Sequence, residues 1–281
     1  MADLPVVDDS SFHNYEISDA DFKRMIDFLQ REYGIDLSKK RQLIASRLSN
    51  SLREIGYHDF HSFLEHLLTK KSSADVELLI NKLTTNYTFF MREQEHFTYL
   101  KDVILPDMVR RHQRDRVLAI WSAGCSSGEE PYTISIYLKN FFGANAADWD
   151  TRLLATDISQ QALAKAKAGV YKEPSDMPAE WLHKYFTHNK ATGLYTVNKQ
   201  IKDNVIFRTY NLMDPIRFKR KFDIIFCRNV MIYFNNETKN ALVKRFYDAL
   251  SPDSYLFISH SESLGPTTLF RMVAPAIYQK I

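Results

Sequence analysis

The sequence predicts an α/β chain: a Rossmann-like, mostly parallel sheet, preceded by a small all-helical domain and interrupted by an inserted antiparallel β-subdomain. Three observations carry this. Val117–Ile134 (VLAIWSAGCSSGEEPYTI) reads as a buried strand that breaks into a small-residue loop and then a helix, and Leu153–Ser159 (LLATDIS) as a second strand ending in an aspartate. Strand and helix patterns alternate from residue 117 onward, which means parallel strands with helices on both faces. Residues before 85 carry only helical periodicity.

With 281 residues, 45% hydrophobic and 25% charged, the chain has the composition of a globular protein with a real core. The net charge of +3 argues for neither nucleic acid nor membrane. No apolar run approaches the ~20 residues of a membrane span, and the acidic N-terminus is unlike a signal peptide. The expected location is cytoplasmic. The two cysteines, Cys125 and Cys227, sit in apolar strand–loop contexts and read as buried free thiols; no Cys/His spacing suggests a metal site.

In order, residues 1–16 are polar and unpatterned, expected as a disordered leader. A helix opens at Ser18, which with Asp21 resembles a capping box; Phe22, Met25, Ile26, Leu29 and Tyr33 follow at helical spacing until Gly34. A second helix is expected from near Ser38 to Gly56, a third over 60–68 and a fourth over 76–83. Together they complete a helical N-terminal domain over 17–85. A linker and a helix over 93–111 occupy 86–116, and the α/β domain runs from 117 to 281. Strands are expected over 117–122, 151–156, 222–227, 254–260 and 273–280, with helices over 130–141, 159–168 and 236–250. The insertion, 171–210, carries three short strands at 184–188, 194–199 and 205–210, two of them joined by an Asn189–Gly193 turn.

The strand tips carry the candidate chemistry. Glu129 and Glu130 occupy a helix N-terminus where a phosphate-binding loop would place Gly or Lys. Carboxylates there cradle a pyrophosphate poorly, but suit a ligand that combines a ribose with a cationic amine, as S-adenosylmethionine does. Asp157, at the second strand's tip, is placed to accept both ribose hydroxyls, while Ser159 is better placed to cap the following helix. The gap from Gly124 to Asp157 exceeds the ~20 residues of a dinucleotide fingerprint, which counts against NAD. Arg228 and Asn229 follow the apolar run FDIIFC, with Tyr233 a turn further on; a buried ion pair is the alternative role for Arg228.

In this order and spacing, LTTNYTFFMR, SAGCSSGEEPY, ATDIS, NLMD, CRNVMIYF and SHSES resemble the chemotaxis receptor methyltransferases, the CheR family, from about residue 18 to the C-terminus. The resemblance implies a class I S-adenosylmethionine-dependent methyltransferase sheet and methyl transfer to glutamate side chains of chemoreceptors, leaving S-adenosylhomocysteine. It implies cofactor contacts from Asn86, Thr88, Arg92, Glu130 (methionine amino end), Asp157 (ribose), Asn211, Leu212, Arg228 and Asn229. The expected partner is the cytoplasmic helical bundle of a receptor, met by a monomer.

A glutamate acceptor is already ionised at neutral pH, with a pKa of ~4.3, so the reaction calls for alignment and desolvation and no general base. Arg92, with Tyr233 beside it, is the candidate for orienting that carboxylate. Lys40, Arg47 and Arg53 lie in a stretch without acidic residues and are candidates for meeting an acidic receptor face. The hairpin turn THNKATG is short beside relatives that tether a receptor tail by strand addition, which favours tether-independent action. Two rival readings are methylation of another acceptor, such as RNA, and a cofactor-binding sensor without turnover. Low net charge and the absence of an Asn/Asp-Pro-Pro-aromatic signature oppose the first; the presence of Arg92 and Tyr233 opposes the second.

Overall fold

The computed structural model describes residues 16–70, 73–84 and 86–281; the leader expected over 1–16 falls, apart from Glu16, outside them. Helix α1 spans Asp19–Tyr33. The Ser18 hydroxyl accepts from the Asp21 amide at 3.1 Å and donates to the Asp21 carboxylate at 2.8 Å, and Gly34 (φ 71°) closes the helix in a left-handed cap. Helix α2 spans Arg41–Glu54, starting later than expected because the Lys40 amide closes a turn on the Leu37 carbonyl. Helices α3 (Phe60–Lys70) and α4 (Ser73–Leu83) complete the set. Met25, Leu29, Ile44, Leu48, Phe63, Leu67 and Leu79, taken from the apolar stripe of each helix, bury one another in a core of their own.

The single helix expected over 93–111 is α5 (Gln94–Tyr99), a π-helical turn (Leu100–Ile104) and α6 (Leu105–Arg111). Pro106 has no amide hydrogen to return to the turn before it, and the helix widens there. Then follow β1 (Ile120–Ala123), α7 (Glu129–Phe142), β2 (Leu153–Asp157), α8 (Gln160–Ala168), β3 (Val170–Tyr171), α9 (Ala179–Tyr185), β4 (Phe186–Asn189) and β5 (Leu194–Val197). After these come α10 (Lys199–Lys202), β6 (Val205–Thr209), β7 (Phe222–Phe226), α11 (Asn236–Ala249), β8 (Leu250–Phe257), β9 (Phe270–Ala274) and β10 (Ile277–Lys280).

The main sheet has seven strands in the order β6-β2-β1-β7-β8-β10-β9; the first five run parallel and β10 turns antiparallel to β8 and β9. Every residue of β1 and β7 is buried, which is why these strands read as unbroken apolar runs. Alternate residues face opposite layers. Ile120, Ile224, Phe226 and Phe257 pack with Phe97, Leu100 and Ile136, while Trp121, Ile225 and Leu256 pack with Leu242 and Phe246 of α11.

The strand expectations also need correction. The strand at 205–210 does not belong to the insertion: β6 pairs in parallel with β2 from Leu153↔Val205 onward, burying Val205 and Phe207, and only β3, β5 and β4 form the small sheet. The strand expected from Lys184 begins at Phe186, because Lys184 and Tyr185 still belong to α9. The single strand at 273–280 is a hairpin that turns at Pro275-Ala276, with Ala276 at φ 58°. Among the described residues no helix is long and apolar enough to cross a membrane.

The helical domain docks against the sheet's C-terminal edge. The Asp36 amide donates to the Tyr233 carbonyl at 2.8 Å, and Ile35 forms a β-bridge with Phe234. The Asn211 side chain donates to the Glu32 carbonyl at 2.7 Å, and Gln30 to Thr238 at 2.9 Å. On the far side, the Gln161 amide reaches Glu77 and the Ser159 hydroxyl reaches Asn81, each at 2.6 Å.

Candidate cofactor and substrate site

Where β1, β2 and β7 end, the chain opens a cleft of ≈ 260 Å³, closed on one side by the end of α1 (Tyr33, Ile35) and the 86–92 segment. This is the crevice in which open α/β sheets bind ligands. Asn86, Thr88, Arg92, Glu130, Asp157, Asn211, Leu212, Arg228, Asn229 and Tyr233 all line it. Lys40, Arg47 and Arg53 do not. Lys40 is exposed at the start of α2, Arg47 donates to the Lys82 carbonyl at 3.3 Å, and Arg53 is exposed at the end of α2.

Local backbone chemistry shapes the floor. Gly124 follows β1 at φ 85°, and a Cβ there would lie 2.3 Å from Val230 Cγ2, so only glycine lets the β1 and β7 loops meet. Ser126 (φ 48°) and Asn229 (φ 59°) also adopt left-handed backbone, as do Met91 (φ 63°) and Glu93 (φ 56°) on either side of Arg92. Four non-glycine residues held this way round one cleft indicate local strain paid for by the surrounding contacts.

Arg228 is the hub. Its Nη1 donates to Glu130 Oε2 at 2.9 Å, its Nε and Nη2 to Glu93 Oε2 at 3.3 and 3.2 Å, and its Nη2 also to the Arg92 carbonyl, while its guanidinium lies over the Phe97 ring. The buried ion pair that the sequence left as an alternative is therefore present. The Ser122 hydroxyl donates to Glu130 Oε1 at 2.7 Å. Burial pushes the Glu130 carboxyl upward, against the pull of Arg228 and Ser122. A carboxylate has about four acceptor positions, so Glu130 keeps capacity toward the cleft.

Asp157 accepts from the Ser126 amide at 2.7 Å and the Ser159 amide at 2.9 Å; burial raises its pKa, and these amides with that of Ile158 oppose the rise. Ser159 caps α8 through Ala162. The Asn211 amide is spent on Glu32 and on accepting from Met213, so its side chain fixes the wall it lines. Arg92 is half-buried; its Nη1 donates to the Tyr87 carbonyl at 2.8 Å and its guanidinium lies over Phe89. Cys125 also lines the cleft, its thiol pushed well up by burial and then by Asp157 and Glu130, which leaves it inert as a nucleophile.

Two residues that matter here carry no role from the sequence. Glu262 is buried after β8; it accepts from the amides of Ser259 (2.8 Å), Asn229 (3.2 Å) and Ile232 (3.1 Å), pinning the loop that presents Arg228 to Tyr233. Glu93 is the second acid on Arg228. The signals were SHSES and the Glu after Arg92; neither shows its partner, because Glu93 and Arg228 are far apart in sequence.

The description "CheR methyltransferase, SAM binding domain" matches residues 86–278, and "CheR methyltransferase, all-alpha domain" matches residues 20–84. A chemotaxis protein methyltransferase of Borreliella burgdorferi is 39% identical over 275 residues, 95% of this chain and 96% of the relative. The chemotaxis protein methyltransferases of Salmonella typhimurium and Escherichia coli are 38% and 36% identical over 255 residues each, 89% of this chain and 85% and 86% of theirs. Among solved structures, the methyltransferase domain of bacterial-CtHen1-C aligns at TM-score 0.31 and 13% identity, over 55% of this chain and 63% of that one.

Proposed function

Because this chain belongs to the CheR family of chemotaxis protein methyltransferases, with S-adenosylmethionine as cofactor, we propose that it methylates glutamate carboxylates on the cytoplasmic helical bundle of a chemoreceptor. The observation that carries this reading is the donor and acceptor set of one cleft. Glu130 and Asp157 offer acceptors at its floor, Arg92 stands at its rim, and no histidine lines it among the described residues.

The cleft fits the cofactor. The bare Gly124 leaves room for close approach, and buried carboxylates are the complement of an ammonium and a diol. We assign Glu130 to the methionine amino group and Asp157 to the ribose hydroxyls. Asn86, Thr88, Asn211, Leu212 and Asn229 complete the walls. Arg228 acts chiefly from behind, holding Glu130 and the Arg92 backbone in place. Bound there, S-adenosylmethionine supplies a methyl group on a sulfonium. Arg92 orients the incoming carboxylate, with Tyr233 beside it, and the Tyr87–Phe89 segment helps exclude water. Since the acceptor arrives ionised, no group has to remove a proton. Opposite charges meet and cancel, so desolvation and alignment do the work.

We further propose that a monomer acts in the cytoplasm, meeting the receptor through the basic stretch of Lys40, Arg47 and Arg53, of which Lys40 and Arg47 align and Arg53 points elsewhere, independently of a receptor tail. The test mixes the protein with methyl-labelled S-adenosylmethionine and chemoreceptor cytoplasmic fragments and scores alkali-labile methyl groups, with Arg92→Ala alongside. Label lost in the variant supports carboxyl methylation oriented by Arg92. Absence of label on every receptor, with cofactor binding intact, sends the reading to another acceptor or to a sensor.

A further inference from the structure

Behind the cleft, Glu93, His96 and His260 bring one carboxylate oxygen and two imidazole nitrogens within 4.8 Å of one another. We propose that these residues form a binding site for a divalent first-row transition-metal ion such as Zn²⁺, and that filling it weakens cofactor binding.

His96 is 1% exposed, and among the described residues neither of its ring nitrogens has a hydrogen-bond partner; the Pro275 carbonyl faces the ring without reaching hydrogen-bond geometry. A buried imidazole with both nitrogens unsatisfied is costly unless something occupies one of them. Its Nδ1 lies 3.4 Å from Glu93 Oε2. Ligands at about 2.0–2.1 Å from a tetrahedral zinc stand about 3.3 Å apart, so this pair already has the spacing of a chelate. The His260 ring packs edge-on to His96, with centroids 4.6 Å apart, and is exposed, so it can turn to close the third side and gives an ion its way in. Two nitrogens and one oxygen select zinc, nickel or copper over magnesium or calcium, and leave a fourth position for water.

The same geometry sets the cost. Glu93 Oε2 is shared with Arg228, and the Arg228 guanidinium also holds Glu130 and the Arg92 carbonyl. An ion that takes Glu93 draws that carboxylate from Arg228 and places positive charge beside the guanidinium. Metal and cofactor therefore oppose each other, and by linkage each weakens the other equally. This second half rests on the cofactor contacts assigned above; the metal site does not.

The test uses the full chain, free of any histidine tag and stripped with chelator. Zn²⁺ is titrated calorimetrically, with Co²⁺ absorption reporting the ligand field. The expectation is one equivalent bound at micromolar strength or tighter, weakened about tenfold or more in His260→Ala, which removes an exposed ligand. No stoichiometric binding, or equal affinity in the variant, overturns the site. S-adenosylhomocysteine is then titrated with and without saturating Zn²⁺. A several-fold loss of affinity in the wild type, absent in His260→Ala, supports the antagonism; an unchanged affinity overturns it and leaves the site standing. S-adenosylhomocysteine that fails to bind in either condition breaks the cofactor contacts assigned above instead.

Discussion

Replacing Glu262 tests whether the site is held by its support or by its lining. The carboxylate takes three backbone amides, at 2.8, 3.1 and 3.2 Å, from residues on two loops. In Glu262→Gln, the carbonyl oxygen can keep the Ser259 and Asn229 amides, but the new amide group then faces the Ile232 amide as donor against donor. One buried bond is lost and one donor stranded, a cost of about 1–3 kcal/mol. In a chain of this size each kcal/mol moves the melting temperature by about 2–4 °C, so the variant should melt roughly 2–12 °C lower. Glu262→Ala strands all three amides and should fall further. Asn229 lines the cleft, so S-adenosylhomocysteine affinity should fall as well. Thermal melting with and without that ligand, beside calorimetric titration, reads both effects. A Gln variant that melts within a degree of wild type and binds the ligand equally well would refute the argument that Glu262 organises this loop.

Four more outcomes follow from the same geometry. Arg228→Met leaves Glu130 and Glu93 buried without their partner and should cost about 3–5 kcal/mol in urea unfolding, with Glu130→Gln in the same chain recovering part of the loss. Gly124→Ala meets Val230 at 2.3 Å and a φ of 85°; Val230→Ala should relieve the contact but not the backbone cost of about 1–2 kcal/mol, so stability returns only in part. Burial places the Glu130 pKa above the ordinary 4.5, and only the ionised form attracts an ammonium, so cofactor affinity in calorimetry should rise as pH climbs through that raised value and level off beyond it, a slope that Glu130→Gln removes. Asp21 behaves oppositely. Burial pushes it up, but Ser18, His61 and Arg24 outweigh burial and hold it below 3.8, so its stabilisation is present above the unfolded pKa and lost as pH falls through the folded one. Asp21→Asn should therefore destabilise at pH 7 and not at the acid end of a melting series.

What the sequence made legible is what local pattern encodes. The Ser18 cap, the apolar runs of β1 and β7 and the cap at Ser159 each rest on residues a few positions apart. The cleft-lining residues were legible because strand tips in a parallel sheet converge and because their motifs carried a resemblance. The rest depends on pairings between distant segments. Nothing within 205–209 says that its partner is Leu153–Asp157 and not the hairpin just before it. Arg228 reads the same whether it faces a ligand or two glutamates, and its partners are fixed by the fold alone. Glu262 looks like any polar residue in a serine-rich loop until three amides are seen to converge on it.

The seam at the cleft wall has an evolutionary reading. From the helical side, the Asp36 amide, the Ile35 bridge and the Glu32 carbonyl are all main-chain groups. Main-chain groups survive almost any substitution that keeps the turn after α1. The helical domain can thus change its outward side chains while still closing the same wall of the cleft. Side chains of the helical domain join the seam only at Gln30–Thr238, Glu77–Gln161 and Asn81–Ser159 among the contacts described above, so a domain exchange between relatives that keeps these three pairs should leave the cleft wall in place.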